Sequence, residues 1–417
     1  MLDEQRGKYE ERIRALAAFG HRGSATANEW QAGDYLCGQL KAMGLDPTRE
    51  PFHGCRSLGG RILVHVLVAA IGAAFFWHLP VISIALAIVA LASLWMENST
   101  RGIWLSRFLV RFPSANIVAR IPAVAPRLRV IVCGHYDTQR TGFIWLIFAY
   151  FGPLFWWVPA ILKPPLLPIA LVMLGQIVLG GVALVVGENS QLMNEANWLI
   201  LSVYAVYAVF LGEWAVGRFI QGAGDNASGV AGVLTLGEVW RRQPVEGVEL
   251  VLLLLGCEEG GLLGSTEWAT RHREELGEVP TLFLNLDNLG FGPPRFFRSE
   301  VPLFGLPVVY PPALVDLAAE TARELGLENA GPHSMPGPTD ALPFLTRGMQ
   351  GMSIVSFGKW GFMPTYHRLL DTTERLDFDV AWRAVGFGWA LLQRLVSEKS
   401  LDAAADGAAE TAPPLVA

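Results

Sequence analysis

The sequence has few charged residues and few cysteines, and both shortages narrow the class of protein. Only 17% of its 417 residues are charged, 52% are hydrophobic, and the mean hydropathy is +0.36. Soluble domains average about 25% charged residues, so an ordinary soluble enzyme is disfavoured and part of the chain is expected in lipid. A net charge of -6 offers no basic surface for phosphates, so no nucleic-acid partner is expected.

The four cysteines, Cys37, Cys55, Cys133 and Cys257, form no CxxC pair and are too sparse for a disulfide framework. A reducing compartment is therefore favoured. The first residues, MLDEQRGKYEERIRAL, are charged throughout and lack an apolar stretch of signal-peptide length. We expect an amphipathic helix there rather than a signal peptide.

Two blocks of the chain have the composition of membrane insertions. Residues 62–96 contain no Asp, Glu, Lys or Arg, and as one helix they would be about 50 Å long. Because a bilayer core is only about 30 Å thick, the break at Pro80 predicts two short passes. The second block, 143–217, contains three charge-free runs that are long enough, or nearly so, to span: 143–162, 164–187 and 196–212.

Both blocks are predicted to interrupt one soluble domain, because pieces of the same α/β pattern flank each of them. A chain that leaves a domain and returns to it crosses the bilayer an even number of times. The second block therefore holds two spans and an interfacial run, or four spans, and 143–162 is its weakest spanner. The predicted division assigns 1–61, 97–142 and 218–399 to the catalytic domain, 62–96 to a membrane hairpin, 143–217 to a second membrane insertion and 400–417 to a disordered tail.

Outside these blocks, strand and helix signals alternate. Continuous apolar runs typical of buried parallel strands occur in RLRVIVCGHYD, VELVLLLLG, TLFLNLD and MSIVSFG. Helices are expected at 226–241, 312–326 and 377–397. The fold class predicted is α/β, with a mostly parallel, doubly wound sheet and inserted transmembrane helices.

Polar residues that can bind metal follow the ends of these strands. Taken singly, each has a structural interpretation; Asp225, for example, could be a helix N-cap. The adjacent Glu258 and Glu259 repel each other at the end of an apolar strand, which is costly unless cations or protons offset the charge. Two divalent ions, each with one His, one carboxylate and a shared Asp, would suit the whole set: His135, Asp225, Glu259, Asp287 and His367.

The segments GHYDT, GAGDNASG, EE, NLD and YH, in this order, resemble those of the di-zinc aminopeptidase family, which includes glutamate carboxypeptidases and glutaminyl cyclases. The resemblance covers roughly 10–55, 112–140 and 220–397. It implies a zinc-exopeptidase fold, two zinc ions and a peptide substrate. It also implies these roles: His135, Asp225 and Asp287 on one metal, Asp225, Glu259 and His367 on the other, Glu258 as general base, Asp137 steadying His135, and Tyr366 stabilising the oxyanion.

The chain departs from the family pattern in PTDALPF, where Ala341 replaces a His that usually follows the retained Asp340. The membrane blocks are a second departure. Two other functions stay open: a one-metal acyl transferase of the glutaminyl cyclase type, and a membrane protein that binds peptides without turnover. The choice between amino- and carboxy-exopeptidase, and the oligomeric state, are also open.

The charges beside the hydrophobic blocks predict a multi-pass protein of the inner cell membrane with a cytoplasmic catalytic domain. All of the flanking arginines lie on the catalytic-domain side: Arg56, Arg61, Arg101, Arg107, Arg111, Arg140 and Arg218. The second insertion starts about six residues after Asp137, a span of at most about 20 Å, and returns close to Asp225. We therefore expect the catalytic mouth to border the bilayer, the insertion to form one wall of the substrate approach, and the substrates to be apolar or membrane-released peptides. The alternative is that the helices only anchor a domain whose mouth opens to the cytosol.

Overall fold

The computed structural model describes residues 1–187, 190–358, 361, 363 and 365–397, so the predicted disordered tail at 400–417 lies outside the described residues. The strands are β1 Thr48–Gly54, β2 Phe112–Ile121, β3 Leu128–His135, β4 Val248–Leu255, β5 Thr281–Asp287, β6 Pro294–Glu300, β7 Val308–Val309, β8 His333–Met335 and β9 Gln350–Ser356. The α-helices are α1 Arg6–Ala17, α2 Ala27–Ala42, α3 Leu58–Ala74, α4 Pro80–Asn98, α5 Phe143–Trp157, α6 Leu167–Val186, α7 Gln191–Val216, α8 Gly229–Arg242, α9 Leu263–Arg271, α10 Arg273–Leu276, α11 Pro312–Glu324, α12 Ala341–Leu345 and α13 Phe378–Leu395.

The strands form one mixed sheet in the order β1-β2-β4-β3-β5-β9-β6-β7, with β8 paired to β6. The four central strands, β4, β3, β5 and β9, are parallel, and the pairs towards both edges are mainly antiparallel. The predicted α/β class is confirmed, but the antiparallel edges were not predicted. Their strands lack the continuous apolar runs of the centre, and β1 contains Pro51, which is tolerated at a sheet edge.

The central strands are buried along their whole length, which explains their unbroken apolar sequence. Every residue of β3 and β4 is buried. Helix α8 packs on β3, β4 and β5, and α13 packs on β5, β6 and β9. The carboxyl ends of four adjacent strands are thereby held in fixed register at one edge of the sheet.

Beside the sheet, α3, α4, α6 and α7 pack as a bundle, with α3 against α4 and α7, and α4 against α6. Three of them, α4, α6 and α7, are long and apolar enough to cross a membrane, and α3 is a shorter apolar helix. Helix α5 has 15 residues, about 22 Å of helix, which is short of the roughly 30 Å bilayer core. The run 143–162, which was predicted to be the weakest spanner, therefore contains a helix that is shorter than the bilayer core is thick.

Polar side chains inside the bundle form hydrogen bonds with each other and with backbone carbonyl groups of neighbouring helices. Gln176 Nε2 donates to Ala69 O and Ser83 O, each at 3.1 Å, and Tyr204 OH donates to Gln176 Oε1 at 2.8 Å. In contrast, large apolar side chains on the outer surface are exposed, such as Val209 at 70%. Hydrogen-bonded polar groups such as these inside a bundle, and apolar groups on its outer surface, are what a hydrocarbon environment favours.

An ion pair links α3 to α4 at the base of their hairpin, and its arginine also bonds to the catalytic domain. Arg61 Nη2 lies 3.1 Å from Glu97 Oε2, and both side chains are buried. Arg61 Nη1 also donates to Gly260 O at 2.8 Å, in the loop that follows β4. The hairpin therefore contacts the chain immediately after Glu259.

Candidate metal centre

The five predicted ligands meet in two groups that share one aspartate. His135, Asp225 and Asp287 form one group, and Asp225, Glu259 and His367 form the other; within each, the ligand atoms lie within 4.8 Å of one another. His135 Nε2 is 3.2 Å from Asp225 Oδ1 and 3.4 Å from Asp287 Oδ1. His367 Nε2 is 3.1 Å from Asp225 Oδ2 and 3.2 Å from Glu259 Oε1. Each oxygen of Asp225 thus faces a different histidine.

The fold brings these residues together at the carboxyl edge of the sheet. His135 and Asp287 are the last residues of β3 and β5, Glu259 follows β4, and His367 follows β9. Asp225 lies just before α8. The crevice beyond the carboxyl ends of parallel strands is where open α/β sheets bind ligands, so the site lies where this topology predicts it.

The backbone at two of these loops has a conformation that non-glycine residues rarely adopt. The φ angles of Cys257, which precedes Glu258, and of His367 are 53° and 52°. Left-handed non-glycine residues cost free energy and cluster at functional sites. The loops that carry Glu258, Glu259 and His367 are therefore held by their surroundings rather than by local preference.

The donor set fits two divalent cations. None of the five residues is more than 8% exposed, and three of them carry carboxylates. Among the described residues, Asp225 Oδ2 and Glu259 Oε1 make no hydrogen bond. Clustered, buried carboxylates without donors are costly, and imidazole with carboxylate oxygen is a ligand set that zinc accepts.

The side chains of this cluster shift one another's pKa strongly. Burial lowers the pKa of His367, but the nearby Glu259 and Asp225 carboxylates outweigh it and raise that pKa to about 9. Burial raises the pKa of Glu259, reinforced by Asp225 and opposed by His367. Asp225 is the exception, because the two imidazoles outweigh burial and lower its pKa. The raised pKa values show that the cluster of carboxylates stabilises a bound positive charge, either a proton or a cation.

Asp137, predicted to steady His135, also holds the Glu258–Glu259 loop. Its Oδ1 is 3.5 Å from His135 Nδ1, longer than an ordinary hydrogen bond. Its oxygens accept hydrogen bonds from Glu258 N at 3.0 Å, Glu259 N at 3.1 Å and Ser24 Oγ at 2.6 Å. Asp137 thus fixes the backbone of both glutamates.

Two further positioning residues received no role from the sequence. Asp371 accepts hydrogen bonds from Gly224 N at 2.7 Å and Asp225 N at 3.0 Å. Gln139 Nε2 donates to Glu259 Oε2 at 2.7 Å. Gln139 could have been found from its spacing of two after Asp137, and Asp371 from its place four residues after His367 in PTYHRLLDT.

Glu258 belongs to neither ligand group, yet it lines the same cavity as the five ligands. Burial raises its pKa well above the usual value, Glu259, Asp340 and Asp287 add to this, and His135 opposes it. A partly buried carboxylate beside a metal-binding cluster can accept and return a proton.

Two aromatic rings cover His367. The ring of Tyr366 stacks on it with centroids 3.7 Å apart, and the ring of Trp145 meets it edge-on at 4.1 Å. Burial raises the pKa of Tyr366 well above the usual value, so the phenol keeps its proton at neutral pH and can donate it in a hydrogen bond. Trp145 lies in α5, within the insertion that is expected to form one wall of the substrate approach; its direct contact with a candidate ligand was not predicted.

At the departure from the family pattern, Ala341 is the first residue of α12 and is completely buried. Asp340, just before it, is also buried, and this burial raises its pKa. The retained carboxylate and the small alanine both lie inside the packed domain beside the site.

The family model described as "Peptidase family M28" matches residues 205–390 of the chain. The matched region contains four of the five candidate ligands, together with Glu258 and Tyr366, and His135 precedes it. No curated protein matches the chain.

Several solved structures share the fold over nearly the whole chain. A zinc aminopeptidase from Bacillus subtilis is 14% identical, with a TM-score of 0.55 over 96% of this chain and 97% of that one. A leucine aminopeptidase precursor from Bacteroides thetaiotaomicron is 14% identical, with a TM-score of 0.53 over 93% and 95%. A glutaminyl cyclase from Porphyromonas gingivalis is 15% identical, with a TM-score of 0.53 over 94% and 98%. These likenesses establish a zinc-exopeptidase-like fold.

Proposed function

We propose that this chain, whose residues 205–390 match the family model described as "Peptidase family M28", is a membrane-embedded exopeptidase with two metal ions, which removes residues from the N-terminus of peptides. The observation that carries this proposal is the pair of ligand groups joined by Asp225, with Glu258 in the same cavity. A single metal site would need only one of these groups.

His135, Asp287 and one oxygen of Asp225 would hold the first ion, and Glu259, His367 and the other oxygen would hold the second. Zinc bound there would lower the pKa of water and polarise the scissile carbonyl. The three buried carboxylates would in turn balance most of the charge of two divalent cations.

The protein's own groups would then move the proton and stabilise the developing charge. Glu258 would accept a proton from the attacking water and deliver it to the leaving amine. Tyr366, whose phenol stays protonated, would donate a hydrogen bond to the oxyanion. Asp137, Gln139 and Asp371 would keep the ligand loops in place.

The membrane part of the proposal rests on the helix bundle. Helices α4, α6 and α7 have the length and composition of spans, and α3 with α4 and α6 with α7 make two returning pairs. The turn between α3 and α4 contains neither Lys nor Arg, whereas Arg56, Arg140 and Arg218 flank the helices on the catalytic side. By the positive-inside rule the catalytic domain is cytoplasmic, and the bilayer is its permanent partner.

Hydrolysis of leucine 4-nitroanilide by purified protein in lipid nanodiscs tests the proposal. We expect turnover that disappears after chelation and returns with zinc, and we expect the N-acetylated anilide to resist because its amino group is blocked. Equal rates on both anilides would exclude an aminopeptidase. Zinc-independent turnover, or none with zinc bound, would exclude the metallopeptidase mechanism in this chain.

A further inference from the structure

A second cavity lies between the catalytic domain and the helix bundle. Its volume is about 420 Å³. Its walls include residues of α3, α5, α6 and α7, and the segment 335–338, which starts at the end of β8 and leads towards α12. None of the described residues that line it has a charged side chain. The cavity is therefore suited to hydrocarbon.

This apolar cavity shares a wall with the metal centre. Met335, Pro338, Met363 and Tyr366 line both it and the cavity around the five candidate ligands. Trp145 also lines the apolar cavity, and it packs against His367. A group in the apolar cavity is thus separated from the ligands by one layer of side chains.

The opposite side of the cavity reaches the outer surface of the bundle. Ile147 of α5 and Val206 of α7 both line the cavity, yet they are 40% and 54% exposed. The gap between α5 and α7 therefore opens onto the apolar surface that the proposed function places in lipid. A chain dissolved in the bilayer could enter sideways without crossing water.

The size and lining of the cavity define what it can hold. An apolar cavity of about 150 Å³ is enough for benzene, the ring of a phenylalanine side chain, and this cavity is almost three times larger. A second peptide unit is a poor occupant, because unpaired N–H and C=O groups are costly in apolar surroundings. A long hydrocarbon chain fills the space without that cost.

We propose that the substrate carries a long aliphatic chain on the residue whose carbonyl is attacked, and that this chain occupies the apolar cavity. The inference rests on the proposed peptidase function and specifies its substrate class as amides of lipid-like amino acids. The scissile carbonyl would lie at the metal centre while the chain extends past Tyr366 and Trp145 towards the gap between α5 and α7.

The test is a series of 2-aminoalkanoyl 4-nitroanilides whose unbranched side chains run from methyl to decyl, assayed with zinc-loaded protein in nanodiscs. Burial of one methylene contributes about 0.8 kcal/mol, so kcat/KM should rise up to about fourfold per methylene. The rise should continue past butyl, the longest unbranched hydrocarbon side chain that resembles a coded residue in size. A wild-type series that peaks at butyl and then falls would overturn the proposal.

Gly337 is a cavity-lining residue at which a side chain can be added without a clash. It lines the cavity, and a Cβ built there meets no atom within 4 Å. Gly386, in α13 and outside the cavity lining, has equally open surroundings and provides the matched control. Because long chains partition into lipid, each variant is compared with the wild type at the same chain length, which cancels the partitioning.

Gly337→Leu should reduce the preference for decyl over propyl by at least about tenfold, since it removes the space for several methylenes. Gly386→Leu should keep the wild-type preference. An unchanged preference in Gly337→Leu would overturn the proposal even if the wild-type series rose. Turnover with a flat series would refute this inference alone, whereas no turnover of any member would refute the proposed function and this inference with it.

Discussion

The ring of Trp145 meets the ring of His367 edge-on, with centroids 4.1 Å apart and planes at 89°. Trp145 belongs to α5, in the second insertion, and His367 belongs to the catalytic domain. A segment that served only to attach the domain to a membrane would not need to touch a candidate ligand. This contact makes the insertion part of the structure of the site.

Trp145→Ala should lower kcat by about tenfold or more, because His367 loses the ring that fixes its orientation and small displacements of catalytic groups are costly. Trp145→Phe keeps an aromatic edge at this position and should retain most of the activity. The comparison is made by steady-state kinetics on leucine 4-nitroanilide with zinc in excess. Wild-type kcat in the alanine variant would mean that α5 has no role in the site.

The shared position of Asp225 predicts a specific pattern of metal loss. Asp225→Ala should bind neither ion tightly, whereas His135→Ala and His367→Ala should each retain one, because each histidine faces only one group. The count is made by elemental analysis of purified protein after dialysis against limiting zinc. Equal loss in all three variants, or no loss in any, would contradict the division into two groups.

Glu258→Gln should keep both ions but lower kcat by at least about two orders of magnitude, the usual scale for loss of a general base. The amide preserves the size of the side chain, so the fold and the ligand loop should be unaffected. Metal content and kcat are measured on the same preparation. Activity near the wild-type level would assign proton transfer to another group.

The arginines on the catalytic side of the bundle predict a cytoplasmic C-terminus. Alkaline phosphatase fused to the last residue should be inactive in a bacterial host, and green fluorescent protein at the same position should fluoresce, because each reporter works on only one side of the membrane. A second pair of fusions in the turn between α3 and α4 should behave in the opposite way. The reverse pattern would place the catalytic domain outside.

The clustering of the five candidate ligands could be predicted because parallel strands leave a simple trace in the sequence. A buried strand is a continuous apolar run, and its carboxyl end is marked where a polar residue stops the run, as at His135, the last residue of β3, and Asp287, the last residue of β5. Once several such ends are found, sheet topology brings them together. The α/β class followed from the same signals, whereas the resemblance to zinc exopeptidases rested on the motifs GHYDT, GAGDNASG, EE, NLD and YH; both are confirmed.

The contacts around the ligands could not be predicted in this way, because they join residues that are remote in sequence and have no periodic signal. Asp371 accepts a hydrogen bond from the backbone of Gly224, 147 positions away. Trp145 contacts His367 from the second hydrophobic block, 143–217. Short strands such as β7 and β8 were also missed. Their pairing depends on neighbouring strands rather than on their own two or three residues.

Mass spectrometry of the products from one peptide tests the central claim most directly. A peptide with a free N-terminus, an apolar first residue and an amidated C-terminus is incubated with zinc-loaded protein in nanodiscs, and the products are followed with time. We predict stepwise loss of residues from the N-terminus only, abolished by chelation and by Glu258→Gln. An unchanged peptide would contradict an exopeptidase, and if a matched peptide that begins with glutamine then lost ammonia without hydrolysis, the chain would be a cyclase.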